Sequence, residues 1–400
     1  MGDKWDTDEV IQRFREYLKI PSVHPDIDYG DCVTFLKKQA SLLGLPAVVH
    51  EFVPRKPVVV ITWEGLEPGL PSILLNSHMD VVPVYEDKWT HPPFGAHISD
   101  DGFIYARGTQ DMKGVGMAHL EAVRSLMNSG ARLRRTVHIS FVPEEEIGGV
   151  EGMKMFSESD EFRKLNIGFE LDESAPTSNP DELVAFHGER TCRQIKVTCP
   201  GVPTHGCFHT SGTAGEKFHY IIDKFMTLRA EEKRKIDESG VWFGERTTVN
   251  LTQIEGGVQV NVLPENLTAS FDIRIAPDVD HDEFENMIER WCKEAGDGVT
   301  YEYLVKNPQV KNTEIDGTVP FWTVLKKTIN EMGLTLNCVV CPGTTDARYV
   351  RAQGIPAINF TPFTDTPMLL HAHDERIHVD VYKRGIDIMQ KVIEAVANIK

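Results

Sequence analysis

Five clusters of acidic residues and histidines are spread along the chain: Ser77-His78-Met79-Asp80, Asp111-Met112-Lys113-Gly114, Glu144-Glu145-Glu146 followed by Gly148-Gly149, Asp172-Glu173, and His371-Ala372-His373-Asp374-Glu375. Carboxylates and imidazoles exchange protons near neutral pH and ligate divalent cations. Taken singly, an acid after a strand serves more often as a helix cap or a solvated turn residue. Three consecutive glutamates between Phe-Val-Pro and Gly-Gly exceed what a cap requires, because only one can occupy it. Gathered in one cleft without a cation, so many acids would repel one another and shift towards neutrality. Divalent cations remove that penalty, and mixed His/Asp/Glu ligation suits zinc, cobalt or manganese.

For these residues to meet, the elements around them must deliver them to one edge. The runs Val58–Trp63, Ser72–Asn76, Thr136–Val142 and Ile167–Leu171 are nearly continuous in aliphatic residues, as in strands buried on both faces. Helical periodicity is expected from Asp6 to Leu18, from Cys32 to Leu43, from Gly114 to Ser129 and from Met153 to Lys164. This alternation predicts an α/β layer with a mostly parallel sheet, where functional groups collect at the carboxyl ends of strands. Each cluster is expected to follow such a strand. From Gly188 the order becomes strand Arg193–Thr198, helix Ala214–Lys235, strands Thr247–Ile254 and Asn266–Ile275, helix His281–Ala295 and strand Val299–Val305. That is the βαββαβ order of a ferredoxin-like unit. The α/β pattern then resumes with helix Phe321–Met332, strand Ala357–Phe360 and helix Val381–Ala397. The expected division is a catalytic domain over 1–187 and 307–400 interrupted by a smaller domain over 188–306.

Composition narrows the partners. The formal net charge of −18 over 400 residues repels phosphate backbones and anionic lipid headgroups, so neither nucleic acid nor a membrane surface is expected as a partner. The N-terminus has no apolar stretch behind a basic start, which predicts a soluble chain without a leader. Seven thinly spread cysteines fit a reducing compartment, the cytoplasm. Cys338 and Cys341 form a C-x-x-C with no second pair nearby and are read as packing thiols. The sequons at Asn250 and Asn266 are read as idle. No G-x-S-x-G, H-E-x-x-H or P-loop is present.

The segments Ser77-His78-Met-Asp80, Ala106-Arg107-Gly108-Thr-Gln-Asp111-Met-Lys-Gly114, Pro143-Glu-Glu145-Glu146-Ile-Gly-Gly149, Leu171-Asp172-Glu173 and His371-x-x-x-Glu375 resemble the M20 family of dinuclear zinc amidohydrolases and carboxypeptidases. The resemblance runs over nearly the whole chain. It implies two zinc ions per subunit, one held by His78 and Glu173, the other by Glu146 and His371, with Asp111 bridging them. A carboxylate bridge of this kind lets a shared water lose a proton near neutral pH. The resemblance further implies that Asp80 accepts a hydrogen bond from the second ring nitrogen of His78, and that Glu145 is the general base. It favours His371 over His373 as ligand, four residues before Glu375. It makes the βαββαβ unit a lid and dimerisation domain. There His205 would reach the partner subunit's active site and stabilise an oxyanion, Asn261 would help, and Arg274 would grip a substrate carboxylate. Thr345 and Arg348, in Gly343-Thr-Thr345-Asp346-Ala-Arg348, match the family's substrate-facing loop.

The function expected on these grounds is hydrolysis of N-acyl-L-amino acids to a carboxylate and a free amino acid, since a glutamate at position 173 goes with acylases and carboxypeptidases in this family. A dipeptidase or carboxypeptidase is the alternative within the class. Outside it stands an M20-like assembly or binding protein without turnover, which would have no use for a base such as Glu145.

Overall fold

Val58–Ile61 and Ile73–Leu75 have no polar face to offer water, and each forms a strand segment buried on both sides. The structure is a computed structural model that describes Trp5 and residues 7–240 and 242–400. In chain order its elements are α1 (Glu9–Leu18), α2 (Gly30–Leu43), β1 (Ala47–Val53), β2 (Lys56–Trp63), β3 (Ser72–His78), β4 (His97–Ile98), β5 (Phe103–Tyr105), α3 (Lys113–Asn128), β6 (Val137–Val142), α4 (Met155–Ser157), α5 (Asp160–Lys164), β7 (Ile167–Asp172), β8 (Glu182–Glu189), β9 (Thr191–Pro200), α6 (Ala214–Ser239), β10 (Thr248–Gly256), β11 (Asn266–Ile275), α7 (His281–Ala295), β12 (Thr300–Lys306), α8 (Pro320–Glu331), β13 (Thr335–Cys341), α9 (Ala347–Ala352), β14 (Ala357–Phe360), β15 (Arg376–His378) and α10 (Val379–Ala397).

The chain divides into two compact units, one of Met1–His187, Thr313–Cys338 and Thr345–Lys400, the other of Gly188–Asn312 and Val339–Thr344. The expected boundary after residue 306 therefore meets a return at Thr313. Val339–Thr344 group with the smaller unit, where Arg190 donates from Nε and Nη2 to Pro342 O at 3.0 and 2.7 Å.

The larger unit carries an eight-stranded sheet in the order β1-β2-β6-β3-β7-β14-β8-β13. Its four central strands are parallel: β3 to β6 and β7, and β14 to β7. β2 and β8 join them antiparallel, and β1 pairs antiparallel with β2. A separate small antiparallel sheet has the order β15-β5-β4. Helix α3 packs against β3 and α10, its apolar face fused with the main core around Phe141, Phe169 and Met389. In the smaller unit the connectivity is β9-α6-β10-β11-α7-β12 and the sheet order β10-β11-β9-β12, fully antiparallel, as in a ferredoxin-like fold. Its core joins Ile195, Val197, Phe225, Phe271 and Trp291. Among the described residues no helix is long and apolar enough to cross a membrane.

Several elements differ from expectation, and β8, the short β4, β5 and β15, and α9 are absent from the sequence reading. The helix anticipated over Met153–Lys164 is broken into α4 and α5, because the Ser159 hydroxyl accepts from Phe162 N at 3.1 Å and starts a new helix. Strands β1 and β13 escape the sequence pattern because they are edge strands with polar residues interleaved. Cys338 and Cys341 both lie on β13, three positions apart, so their side chains point to opposite faces of the strand. The expected start of the first helix at Asp6 lies outside the described residues; α1 is capped by Asp8, which accepts from Val10 N and Ile11 N.

The close approach of α3 to β3 fixes the strand that ends in His78. A Cβ on Gly116 would come within 2.4 Å of Ser77 Oγ and 3.0 Å of Phe141 Cε1. Gly116→Val is expected to cost about 1–3 kcal/mol through overpacking, read as a lower urea midpoint with an unchanged m-value.

Candidate metal centre

The parallel centre of the sheet explains how three of the clusters meet. β3 and β6 are in register with His78 opposite Val142, and β3 and β7 with Leu75 opposite Leu171. The residues that follow these strands therefore leave the same edge: His78 closes β3, Glu145 and Glu146 sit in a short 3₁₀ turn after β6, and Glu173 follows β7. This is the carboxyl edge where parallel sheets place their functional groups. Of the other two clusters, Asp111 follows β5, outside that sheet, and His371 lies well past the end of β14. Asp111 lies in the loop between β5 and α3, and His371 in the loop before β15. They meet because β15 pairs antiparallel with β5, Arg376 opposite Tyr105.

The predicted ligands converge. His78 Nε2 lies 3.1 Å from Asp111 Oδ1 and 3.2 Å from Glu173 Oε1. His371 Nε2 lies 3.0 Å from both Asp111 Oδ2 and Glu146 Oε2. Asp111 thus turns one oxygen to each imidazole, as a carboxylate shared by two cations must. These separations approach the roughly 3.3 Å between neighbouring donors of a tetrahedron with ~2.0 Å bonds. Ligand atoms of His78, Asp111 and Glu146 fall within 4.8 Å of one another, as do those of His78, Glu145 and Glu173. Glu146 Oε1 is buried with no hydrogen-bond partner. Nitrogen and oxygen donors in this mixture, one of them unsatisfied, fit zinc-like divalent ions. His373 instead stands edge-on to Tyr85 with ring centroids 6.1 Å apart, which leaves His371 as the histidine that faces Asp111.

The electrostatics state the same need in another form. Burial opposes a charge on His78, but Glu173 and Asp111 outweigh it and hold the imidazole well above the ordinary histidine range. His371 is raised to about 10 by Asp111 and Glu146. Burial, reinforced by the Asp111 charge, pushes Glu146 up to about 7. Burial drives Glu145 and Glu173 up as well, with nearby carboxylates adding to the shift. Without cations the cluster balances its charge with protons.

Asp80 corrects an expectation. The second ring nitrogen of His78, Nδ1, donates to the backbone O of Asp80 at 2.8 Å, whereas the nearest carboxylate oxygen is 3.7 Å away. The carboxylate turns to the glutamate turn, accepting from Glu145 N at 3.3 Å and Glu146 N at 3.1 Å, and meets His24 Nε2 at 2.8 Å. The physical reason is the count of orphan amides: the turn after β6 presents two, and the buried Asp80 is the acceptor within reach. The tautomer of His78 is still fixed, by a carbonyl, so that Nε2 is free to ligate. Glu144 leaves the cluster, its carboxylate paired with Lys56 and its amide donating to the Tyr29 hydroxyl at 3.2 Å.

Thr345 and Arg348 are both buried. Thr345 Oγ1 accepts from Asn359 Nδ2 at 2.9 Å, and Arg348 donates to Thr345 O and to Gly148 O, each at 2.7 Å. The second contact braces the glutamate turn. In the smaller unit His205 and Asn261 are exposed; Cys207 N donates to His205 Nδ1 at 3.1 Å, and Gln259 donates to Asn261 Oδ1 at 2.8 Å. Arg274 is ion-paired with Asp272 at 2.9 Å on β11. Two residues escaped the sequence reading. His24 lies 56 positions before its partner Asp80, with no spacing signal. Asp346 is buried with neither carboxylate oxygen hydrogen-bonded, and it lies so close to Gly149 that a Cβ there would meet its Oδ1 at 2.3 Å. The Gly148-Gly149 pair flanking the glutamates, both with positive φ, was the available hint.

A family profile, Peptidase family M20/M25/M40, matches residues 74–395. The chain belongs to the M20 peptidase family. Relatives of this M20 chain include aminoacylase-1 of Mus musculus, 45% identical over 391 residues that cover 97% of this chain and 95% of that one. Aminoacylase-1 of Dictyostelium discoideum is 38% identical over 405 residues, 98% of each chain. Among solved structures, an M20 family metallo-carboxypeptidase from Sulfolobus solfataricus shares the fold at a TM-score of 0.75 and 18% identity, covering 98% of this chain and 99% of that one. A dinuclear metal-binding M20 peptidase from Bacillus subtilis gives 0.67 at 14% identity over 97% of this chain and 98% of its own.

The raised His371 and Glu146 must lose protons before they can ligate. Zinc added to metal-free protein at pH 7 is therefore expected to release protons, and the apparent affinity to tighten as pH rises, by at least about tenfold per unit between about pH 6 and pH 8. Calorimetry in two buffers of different ionisation enthalpy measures the release; a pH-independent affinity would contradict it.

Proposed function

We propose that this M20 chain is a metal-dependent aminoacylase that hydrolyses the amide bond of N-acyl-L-amino acids. The observation that carries the reading is the 45% identity to aminoacylase-1 over 97% of the chain. The converging His78, Asp111, Glu146, Glu173 and His371 support its metal dependence. We infer that the cations are two zinc ions per subunit, one at His78 and Glu173, one at Glu146 and His371, with Asp111 between them.

Zinc ions held by His78, Asp111, Glu146, Glu173 and His371 would supply a water acidic enough to react near pH 7 and a positive field for the scissile carbonyl. Glu145 is the general base. Its carboxylate offers an oxygen within 4.8 Å of the ligand atoms of His78 and Glu173, on a turn fixed by Asp80 at its amides and by Arg348 at Gly148 O. It takes the proton as the water oxygen adds to the acyl carbon. It then returns that proton to the nitrogen as the C–N bond breaks, releasing a carboxylic acid and an amine. His205 and Asn261 are assigned to the oxyanion and Arg274 to the substrate's α-carboxylate, a local cation in a chain of net charge −18. Thr345 and Arg348 are assigned to the substrate-facing loop.

The protein is proposed to act as a homodimer through the smaller unit, with the partner's His205 completing each active site. The outer strand β10 with its exposed Ile254, and the exposed Val258 and Val260 beyond it, support an interface there. The thin scatter of cysteines supports a cytoplasmic setting.

Amine release from N-acetyl-L-methionine, longer N-acyl amino acids and a dipeptide panel, with zinc-loaded and chelated protein, tests the reading. Release confined to N-acyl amino acids and abolished by chelation is expected; preference for dipeptides would move the assignment to peptidase, and silence with metal bound would leave a binding protein. Glu145→Ala should retain both ions and lose about 10²–10⁴-fold in kcat. His205→Ala should also be inactive. Mixing it with Glu145→Ala should restore turnover through hybrid dimers holding one intact composite site, and no recovery despite proven subunit exchange would overturn action in trans.

A further inference from the structure

Glu375 is fully buried, and its hydrogen-bond partners are backbone amides, a hydroxyl and a guanidinium. Its carboxylate collects the loop that carries Asp111. Oε1 accepts from Gln110 N at 2.7 Å, Gly108 N at 3.1 Å, and Asp111 N and Thr109 Oγ1 at 3.3 Å each. Oε2 accepts from Gly108 N at 3.1 Å and from Arg107 Nη1 at 2.7 Å. The other guanidinium nitrogen, Arg107 Nη2, donates to the backbone O of His371 at 3.3 Å. One buried ion pair, with Arg107 only 2% exposed, therefore spans the two loops that deliver Asp111 and His371.

The two proposed cation positions do not depend on it equally. His78 ends β3 and Glu173 follows β7, both on the rigid parallel centre of the sheet. The position at Glu146 and His371 draws on a loop. His371 sits at φ +60° with its side chain 55% exposed, so little packing restrains it beyond its contacts to Asp111 and Glu146. A residue in the left-handed region persists only where its surroundings hold it there.

We propose that Glu375 and Arg107 are positioning residues for the second cation, setting the affinity of the Asp111–Glu146–His371 position while leaving the His78–Glu173 position largely intact. The proposal rests on the reading of these side chains as metal ligands. A glutamine at 375 keeps the shape but turns an amide group towards backbone N–H donors, and a lysine at 107 keeps the charge but cannot reach both Glu375 and the His371 carbonyl.

Equilibrium dialysis against buffered zinc, with metal content measured per folded chain, tests it on the full-length protein. Wild type is expected to hold two ions. Glu375→Gln should retain one tight ion and bind the second about 10–100-fold more weakly, in the range seen when groups that orient ligands are removed. Excess zinc should restore a large part of its turnover, which a general folding defect would not allow. Arg107→Lys should show the same split to a smaller degree, about tenfold, and decides the matter if the glutamine variant does not fold. Two equally tight ions in the variants, or parallel weakening of both, would overturn the proposal and leave the metal reading standing. Fewer than two ions in wild type would overturn both.

Discussion

The constraint on which the structure turns is electrostatic: Asp111, Glu145, Glu146 and Glu173 share one partly buried cluster and cannot all be ionised there without compensating positive charge. Their shifts show how the protein balances the account in the absence of cations. His78 and His371 are held protonated against Asp111, while Glu145, Glu146 and Glu173 are pushed towards the neutral form. The two imidazoles supply part of the positive charge that the clustered carboxylates require. Metal binding therefore exchanges protons for cations in a site whose shape is already set.

Holding that shape falls to acids that look like the ligands in sequence but differ in what they touch. Asp80 accepts from two amides of the glutamate turn, Asp172 from Ala347 N and Asn76 Nδ2, and Glu375 from the amides of Gly108, Gln110 and Asp111. Buried backbone N–H groups must be paired, and a carboxylate that pairs several at once fixes a loop firmly. The side chains of Asp111, Glu146 and Glu173 meet imidazole instead. Amide partners mark an acid that builds the site, as Asp80 does even while it meets His24, and an acid whose carboxylate meets imidazole without such amides is the one left open for a cation.

Sequence pattern reached the first distinction only in part. The aliphatic runs before His78, Glu144 and Asp172 place those clusters at one sheet edge, because runs this short and rich in β-branched residues read as strands buried on both faces. The βαββαβ order was equally visible, since α6, α7 and their flanking strands carry clean periodicity. What could not be seen was direction. Whether Asp80 would turn its carboxylate to His78 or to the glutamate turn depends on which donors fold back over it, and those lie 65 and 66 positions away. The three-residue strands β5 and β15 are too short to leave a pattern, yet they bring Asp111 to His371 across 260 positions of chain. Glu375 served only as a landmark for its histidine. Its buried amide contacts come from residues more than 260 positions away, a relation that spacing cannot encode.

The same contrast divides the site into a stiff half and a dependent half. β3, β6 and β7 set His78, the glutamate turn and Glu173 on a sheet whose register leaves them no freedom to slip, because a slip of one residue would turn every buried side chain outward. Asp111 and His371 gain their positions second-hand, through a short sheet and a buried ion pair. Asp111 belongs to both halves, so the geometry of the first position limits how far the second can drift. Such an arrangement favours one cation bound by a preformed edge and a second whose affinity is set by the loops around it. The chemistry proposed here needs both, and its most easily lost component is then the loop-borne position, not the base or the strand-borne ligands.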